Sequence, residues 1–448
     1  MVRLRVNPVR SLVTSFAVVI AVGTWALHQP WAAVPGKQLR WVEALFTATS
    51  ATCVTGLIVR LPEDHTVAGQ VVIATLIQIG GLGIMTFGLF FLLLLGGRMS
   101  IFGRQLLLSS LALEPWEDFW PLLRTVMLAT GAVEGVGAVL LAIGWWGEKG
   151  WVAIPWGIFH SVSAFCNAGF GLHGASLIPW RGNPWIAVTI GVLIIVGGIG
   201  FLPATEVIEN WRRGRRRPLS LHTRVVLSVT AGLLVFGWLG FSALEWRATL
   251  AGLPAGEKVL AIWLQGIVPR TAGFSSLDFG LMTPVTLLFV MVLMFIGASP
   301  GSTGGGVKTT TLGVLLAVLI AKVRSRKQVS LFRRGVGEGS VSSAIVVLVL
   351  SLVVVVGGFA LVALAEHGVR GGAAAAAPFL AEAFDVVSAF GTVGLSTGIT
   401  PKLQDGSWLA LTLVMFVGRV GPLTLGLALI GRQPRSEARY ADEELLIG

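Results

Sequence analysis

One short design recurs four times in this chain, and that recurrence limits the fold more than any other feature. Phe46–Val59 reads FTATSATCVTGLIV, His160–Leu172 reads HSVSAFCNAGFGL, Gln265–Phe274 reads QGIVPRTAGF and Val386–Ser396 reads VVSAFGTVGLS. Each copy holds a glycine in register: Gly56, Gly169, Gly273 and Gly394. A second glycine follows in the apolar segment after each copy: Gly80, Gly197, Gly297 and Gly418. The interval is the same in three copies and slightly longer in the second. A chain with this self-similarity is built of four like units.

The surroundings of the units are apolar. The 448 residues are 54% hydrophobic and 12% charged, with a mean hydropathy of +0.82. Soluble chains carry about twice that charge. Runs such as Pro184–Leu202 and Ala344–Ala365 are long enough to cross a bilayer as helices, which takes about 20 residues. The net charge of +11 does not point to nucleic acid, because the basic residues cluster at the ends of apolar runs, as in membrane topology signals. Met1–Leu27 has the outline of a signal peptide, but the repeat makes it the first helix of the first unit. Cys53 and Cys166 occupy equivalent places and read as small packing residues at the base of a loop, not as a disulfide or metal site.

Taken in order, each unit reads as spanning helix, short amphipathic helix, glycine loop, spanning helix. The fold class expected is therefore an all-α polytopic membrane protein of four pseudo-symmetric helix–pore-loop–helix repeats around one central pore. The unit boundaries are 1–96, 97–213, 214–324 and 325–448. In unit one the helices are expected near Ser11–Trp31, Trp41–Ser50 and Val67–Leu95, and in unit two near Leu122–Trp145, Ile154–Phe165 and Pro184–Trp211. Unit three runs from about Leu221 to Ala321, with a short helix at Glu257–Val268. Unit four runs from about Ser342 to Ile430, with a short helix at Phe379–Phe390. The connector Gly96–Trp120, the run Arg212–Arg217 and the stretch Lys322–Arg334 are basic and fall on one side. By the positive-inside rule that side is cytoplasmic, with both termini. The alanine run Ala373–Ala377 reads as an outer loop, and Gly431–Gly448 as a polar tail.

Four re-entrant loops carry a further implication. Non-helical backbone at membrane depth leaves N–H and C=O groups unpaired, so it survives only within protein or along water. Carbonyls turned to a common axis can replace the hydration shell of a cation. Glycine permits the positive φ that such a backbone needs. The short helices before the loops end near the axis, where their partly negative C-termini favour a cation.

These residues resemble a known family. Thr52-Cys53-Val54-Thr55-Gly56, Asn167-Ala168-Gly169-Phe170, Arg270-Thr271-Ala272-Gly273-Phe274 and Thr392-Val393-Gly394-Leu395 resemble the four filter segments of the Trk/Ktr/HKT potassium-transporter superfamily, and the length resembles its KtrB branch. The resemblance implies potassium as the permeant ion, with sodium as a further one, and no cofactor bound by this chain. It implies a homodimer in a bacterial inner membrane on a cytoplasmic ring of KtrA/TrkA-like RCK subunits, which bind the nucleotide (ATP or ADP). The potassium-binding filter would be Val54, Thr55, Gly56, Asn167, Ala168, Gly169, Thr271, Ala272, Gly273, Thr392, Val393 and Gly394. The only tyrosine is Tyr440, so no segment carries the Gly-Tyr-Gly ending of tetrameric potassium channels.

A break in unit three reads as a gate. Ile296–Lys308, IGASPGSTGGGVK, contains Pro300 and the glycines Gly297, Gly301, Gly304, Gly305 and Gly306, which no continuous helix tolerates. Together with Ser302 and Thr303 it forms an intramembrane loop that can obstruct the path. Arg419 lies in the apolar stretch Leu409–Leu429, where a charge needs a cavity or a partner. It directly follows Gly418, so its depth matches the loop. In the family a basic residue at this place contributes a barrier. Lys308 sits nearer the cytoplasmic end. Glu43, Glu382 and Asp385, on short helices, either concentrate cations or cap and pair.

Other classes fit less well. An ion-coupled secondary transporter would show inverted repeats and intramembrane carboxylates, and few of the latter are evident. A less selective sodium/potassium conductor of the same superfamily is a further alternative. An enzyme would need paired acid–base groups, and the six histidines form no such motif. His160 reads as a packed residue of a short helix.

Overall fold

The computed structural model describes residues 8–94, 119–212, 214, 218–368 and 379–430. Most of the connector Gly96–Trp120, most of the arginine run, the alanine run and the tail lie outside these residues.

Unit one comprises α1 (Pro8–His28), α2 (Trp41–Thr52) and α3 (Val67–Leu94). Unit two comprises α4 (Phe119–Lys149), α5 (Ala153–Phe165), α6 (Pro184–Ile199) and α7 (Phe201–Arg212). Unit three comprises α8 (Leu221–Glu245), α9 (Ala255–Ile267), α10 (Pro284–Phe295) and α11 (Thr309–Val323). Unit four comprises α12 (Glu338–His367), α13 (Phe379–Gly391), α14 (Asp405–Val420) and α15 (Pro422–Ile430). Local chemistry sets the starts. Asn183 accepts from the backbone N–H of Trp185 and Ile186 ahead of Pro184 at the first turn of α6. Thr283 caps α10 in the same way before Pro284. An oxygen cap followed by proline satisfies or removes the donors that a helix start leaves open.

The packing is cyclic. Within each unit the short helix packs on its neighbours in sequence. Between units, α3 packs on α5, α6 on α9, α10 on α13, and α14 returns to α2. At the periphery the faces are apolar and open. In α12, the most hydropathic span, only 17% of the apolar window is buried inside the protein, and Val349, Val353, Val356 and Leu364 are exposed. Such surface belongs against lipid or another membrane-embedded chain, not water. Among the described residues, stretches within Arg124–Phe165, Leu221–Glu245 and Glu338–His367 are long and apolar enough to span a membrane.

Two expected helices and one connector differ. Pro184–Trp211 is not one helix: α6 and α7 meet at a 100° bend where Gly200 has φ +90°. Leu409–Leu429 likewise ends at Val420, and Gly421 with φ +90° turns the chain into α15. Gly200 and Gly421 each stand three residues after the second glycine of their copy, Gly197 and Gly418, so units two and four share the break. Finally, Lys322–Arg334 is not a plain connector. It ends α11 and then forms a hairpin, β1 (Ser330–Leu331) antiparallel to β2 (Arg334–Gly335). Phe332 and Arg333 have φ +49° and +64°, which is the geometry of a two-residue turn between twisted strands.

Candidate functional site

The four glycine loops share one backbone conformation. In each, two left-handed residues flank one that is not. The first pair is Val54 (φ +56°) and Gly56 (+92°), the second Asn167 (+57°) and Gly169 (+70°), the third Thr271 (+77°) and Gly273 (+67°), and the fourth Thr392 (+50°) and Gly394 (+91°). Thr55, Ala168, Ala272 and Val393 lie between them. A left-handed β-branched residue costs about 1–2 kcal/mol. Val, Thr and Thr accept this cost at equivalent points, so the surrounding fold imposes the conformation, as it does at functional sites. Ten of the twelve residues are buried, and Gly169 and Gly394 are partly exposed.

The loops meet one another. A Cβ placed on Gly56 would collide with the Ala168 carbonyl oxygen. One on Gly169 would come within 2.6 Å of the Gly273 Cα, one on Gly273 would meet the Val393 carbonyl at 2.5 Å, and one on Gly394 would collide with the Thr55 carbonyl. Each loop thus abuts the next in chain order, and the fourth abuts the first. Only backbone fits at these contacts, which is why the register residue is glycine.

Side chains from the short helices hold the loops from behind. Ser50 accepts from the Gly56 N–H at 3.1 Å and donates to the Leu57 carbonyl at 2.7 Å. Ser388 accepts from the Gly394 N–H at 3.0 Å. In the second loop His160 is buried, with Nδ1 2.8 Å from the Trp156 carbonyl and Nε2 accepting from the Leu172 N–H at 3.3 Å. These two partners fix the tautomer: Nδ1 carries the proton. Asp385, at the corresponding place in α13, accepts from Thr400 and Ser396. In the third loop Gln265 donates to Ser276 at 3.1 Å. Cys53 and Cys166, both buried and free, end their short helices.

The second glycines are close-packing points. A Cβ on Gly80, Gly197 or Gly418 would strike the carbonyl oxygen of Thr52, Phe165 or Phe390, each near the end of its own unit's short helix. Gly297 differs, because α10 stops at Phe295; its Cβ would strike the Gly305 carbonyl instead.

Ile296–Lys308 is a largely buried loop. Ile296 and Val307 form an isolated bridge, with the Gly297 N–H donating to the Val307 carbonyl at 2.9 Å. Pro300 and Gly301 occupy the space that the bend at Gly200 opens: a Cβ there would lie 2.7 Å from the Pro300 carbonyl, and the Phe201 N–H donates to the Gly301 carbonyl at 3.1 Å. Thr303 donates to the carbonyls of Phe165 and Gly197 at 3.1 and 3.2 Å. Gly304 and Gly305 lie directly against Thr271 and Thr392, so the loop touches the glycine ring. Lys308 Nζ donates to the Gly304 carbonyl at 2.6 Å. Arg419, 2% exposed, donates to the Thr303 carbonyl and to the Gly80 carbonyl. It lies in the last turn of α14, not mid-helix as expected from the apolar run.

The acidic residues of the short helices cap and pair. Glu43 accepts from the Arg40 N–H at 2.8 Å and from Arg60 at 3.0 Å. Glu382 lies 3.1 Å from His367. Arg40 also grips Asp405 through two bonds of 2.9 and 2.8 Å, tying unit one to unit four. One intramembrane carboxylate escaped the sequence reading. Glu134 on α4 accepts from Gln78 of α3 at 3.2 Å and lies 3.8 Å from the Cys166 sulfur. The signal was a lone glutamate inside the expected Leu122–Trp145 span.

The chain matches the TrkH family profile, described as cation transport protein, over residues 9–438. It is 38% identical to the Ktr system potassium uptake protein B of Bacillus subtilis, covering 99% of this chain and 97% of that one. It is 35% identical to the potassium/sodium uptake protein NtpJ of Enterococcus hirae, covering 100% and 98%. Its fold is similar to the crystal structure of the potassium transporter TrkH from Vibrio parahaemolyticus, with a TM-score of 0.69 at 18% identity over 96% of this chain and 86% of that one. A glycine-loop ring inside a polytopic helical membrane protein and a family match over almost the whole length lead to one conclusion: the chain belongs to the TrkH family of cation transport proteins in the Trk/Ktr superfamily, a family of transporters without catalytic domains.

Proposed function

We propose that this chain is the pore subunit of a bacterial potassium uptake system, with the four units 1–96, 97–213, 214–324 and 325–448 around one pore. The observation that carries the reading is the ring of glycine loops. Four strained segments abut in cyclic order, and the C-termini of four short helices run into them. Backbone carbonyls at Val54–Gly56, Asn167–Gly169, Thr271–Gly273 and Thr392–Gly394 are the filter ligands. They replace water around a dehydrated cation, and the helix ends add partial negative charge.

The gate is Ile296–Lys308. It lies against two filter residues, and Arg419 and Lys308 bring cationic groups to it. A cation passing the filter meets both the loop and the charge, which is poorly screened in a narrow pore. Both termini and the basic connectors face the cytoplasm. The chain forms a homodimer there on a ring of nucleotide-binding RCK subunits, and the exposed Arg324, Arg326 and Lys327 are part of the docking surface. Neutralising those three residues should weaken ring capture in a pull-down; undiminished capture moves the docking surface elsewhere.

The second reading, a conductor that also passes sodium, is favoured by the shortness of the filter. Each loop offers one glycine and one pair of left-handed residues. Both curated relatives named above are uptake proteins, one for potassium and one for potassium and sodium. Growth of a potassium-uptake-deficient strain at low potassium, with and without a co-expressed ring subunit, tests the proposal. Absence of rescue in either condition by well-expressed protein would sink it. Competition by sodium in the same assay separates the two readings.

A further inference from the structure

We infer that the Thr392 hydroxyl is a latch that ties the filter to the loop beneath it, so that Thr392 positions both. The inference rests on reading Ile296–Lys308 as the gate and Thr392 as a filter residue. Thr392 accepts a hydrogen bond from the Gly305 N–H at 3.1 Å, and both partners are buried. The same residue holds φ +50° two positions before Gly394. Its side chain thus serves the loop while its backbone shapes the filter. The fit leaves no slack, since a Cβ on Gly305 would collide with the Thr392 Oγ1.

The equivalent positions differ. Val54 has no hydrogen-bonding side chain. Asn167 and Thr271 lie beside each other, with the Asn167 side-chain amide 3.4 Å from Thr271 Oγ1, and Thr271 packs against Gly304 without receiving a loop N–H. Of the four, Thr392 alone accepts from the loop backbone. Further polar anchors of the loop come from outside the filter: Phe165 and Gly197 hold Thr303, Arg419 holds its carbonyl, Gly198 holds the Ser299 N–H and the Phe201 N–H holds the Gly301 carbonyl. If the loop swings away, the Thr392 hydroxyl loses its donor, and the Gly305 N–H must find another acceptor. Opening below and the state of the fourth filter strand are therefore coupled through one bond.

Thr392→Val removes the hydroxyl while keeping a β-branched shape. The conformation remains accessible to valine, because Val54 holds φ +56° at the same place in loop one. An orphaned buried N–H destabilises the closed loop enough to raise potassium flux in proteoliposomes by about fivefold or more. Thr392→Ser, which restores the acceptor, brings flux back toward the parent. In a background lacking Ser302–Gly304, whose own flux is raised, Thr392→Val adds little. If Thr392→Val leaves flux at the parental level, or if its rise persists in full without the loop segment, there is no latch. If the deletion itself fails to raise flux, the gate reading falls and the latch with it, so the two failures are told apart. Hydrogen–deuterium exchange across residues 297–308 reads the loop directly, with Thr392→Ala as a second variant. Faster exchange in both variants is expected, and unchanged exchange overturns the latch even where flux is lost.

Discussion

The Arg419 guanidinium bridges the Thr303 carbonyl in the intramembrane loop and the Gly80 carbonyl, the latter at 2.6 Å. One charged group thereby links α14, the loop Ile296–Lys308 and α3. Backbone carbonyls satisfy the charge, and the charge satisfies backbone that has no helical partner. If this bridge holds the loop closed, Arg419→Ala raises potassium flux, as does deleting Ser302–Gly304. Combining them gives less than the sum, because both act on one barrier. Flux in proteoliposomes is the measure; loss of flux in well-folded deletions would show that the loop supports the pore instead of closing it.

Gly394→Ser and Gly273→Ser test the ring. Each adds a Cβ where backbone of the neighbouring loop already sits and forces a side chain into a left-handed backbone at about 1–2 kcal/mol. The expected result is weaker potassium preference over sodium, or weaker uptake, in protein that still inserts. Unchanged potassium affinity in both variants removes the filter assignment.

Gly418→Ala tests the packing role of the second glycines. Its Cβ would strike the Phe390 carbonyl, whereas Gly357 on α12 has open space around it. Gly418→Ala should lower thermal stability by about 1–3 kcal/mol. Gly357→Ala should leave it unchanged or slightly raised, since alanine is the better helix former. Equal melting shifts in detergent would contradict the contact.

His65 supplies a pH dependence outside the spanning helices. Burial pushes its imidazole below the ordinary histidine value, opposed in part by the contact of Nδ1 with the Leu61 carbonyl at 3.2 Å. The folded protein therefore resists a proton that the unfolded chain accepts. Stability is full above the unfolded value of about 6.5 and falls as pH drops below it. Melting temperature between pH 7.5 and 5.5 should fall less in His65→Gln than in the parent. Parallel curves would assign the acid sensitivity to other groups.

How much of this was legible in the sequence follows from which interactions are local. The short helices were placed within a few residues, Trp41–Ser50 against Trp41–Thr52 and Ile154–Phe165 against Ala153–Phe165. Amphipathic spacing before a glycine is a property of neighbouring residues. The broken segment Ile296–Lys308 was legible for the same reason, because proline and clustered glycine forbid a helix wherever they occur. The bends at Gly200 and Gly421 were not. Local signals were present, Gly197, Gly198 and Gly200 ahead of Pro203 and Gly421 directly before Pro422, but such residues also occur in kinked continuous helices, and only the loop packed against Gly200 decides the matter there. The acids of the short helices were equally ambiguous until Arg40, Arg60 and His367 were seen beside them.

By itself the sequence indicated an all-α polytopic membrane protein, four copies of one glycine-bearing design, and a break at Ile296–Lys308. These follow from periodicity, hydropathy and backbone stereochemistry. Only the tertiary structure decided that the loops abut in cyclic order, that Thr392 receives the Gly305 N–H, and that Arg419 reaches two carbonyls from different units. The physical reason is range. Helix formation is settled over a few residues, but a contact between Gly394 and Thr55 depends on every helix that packs between them.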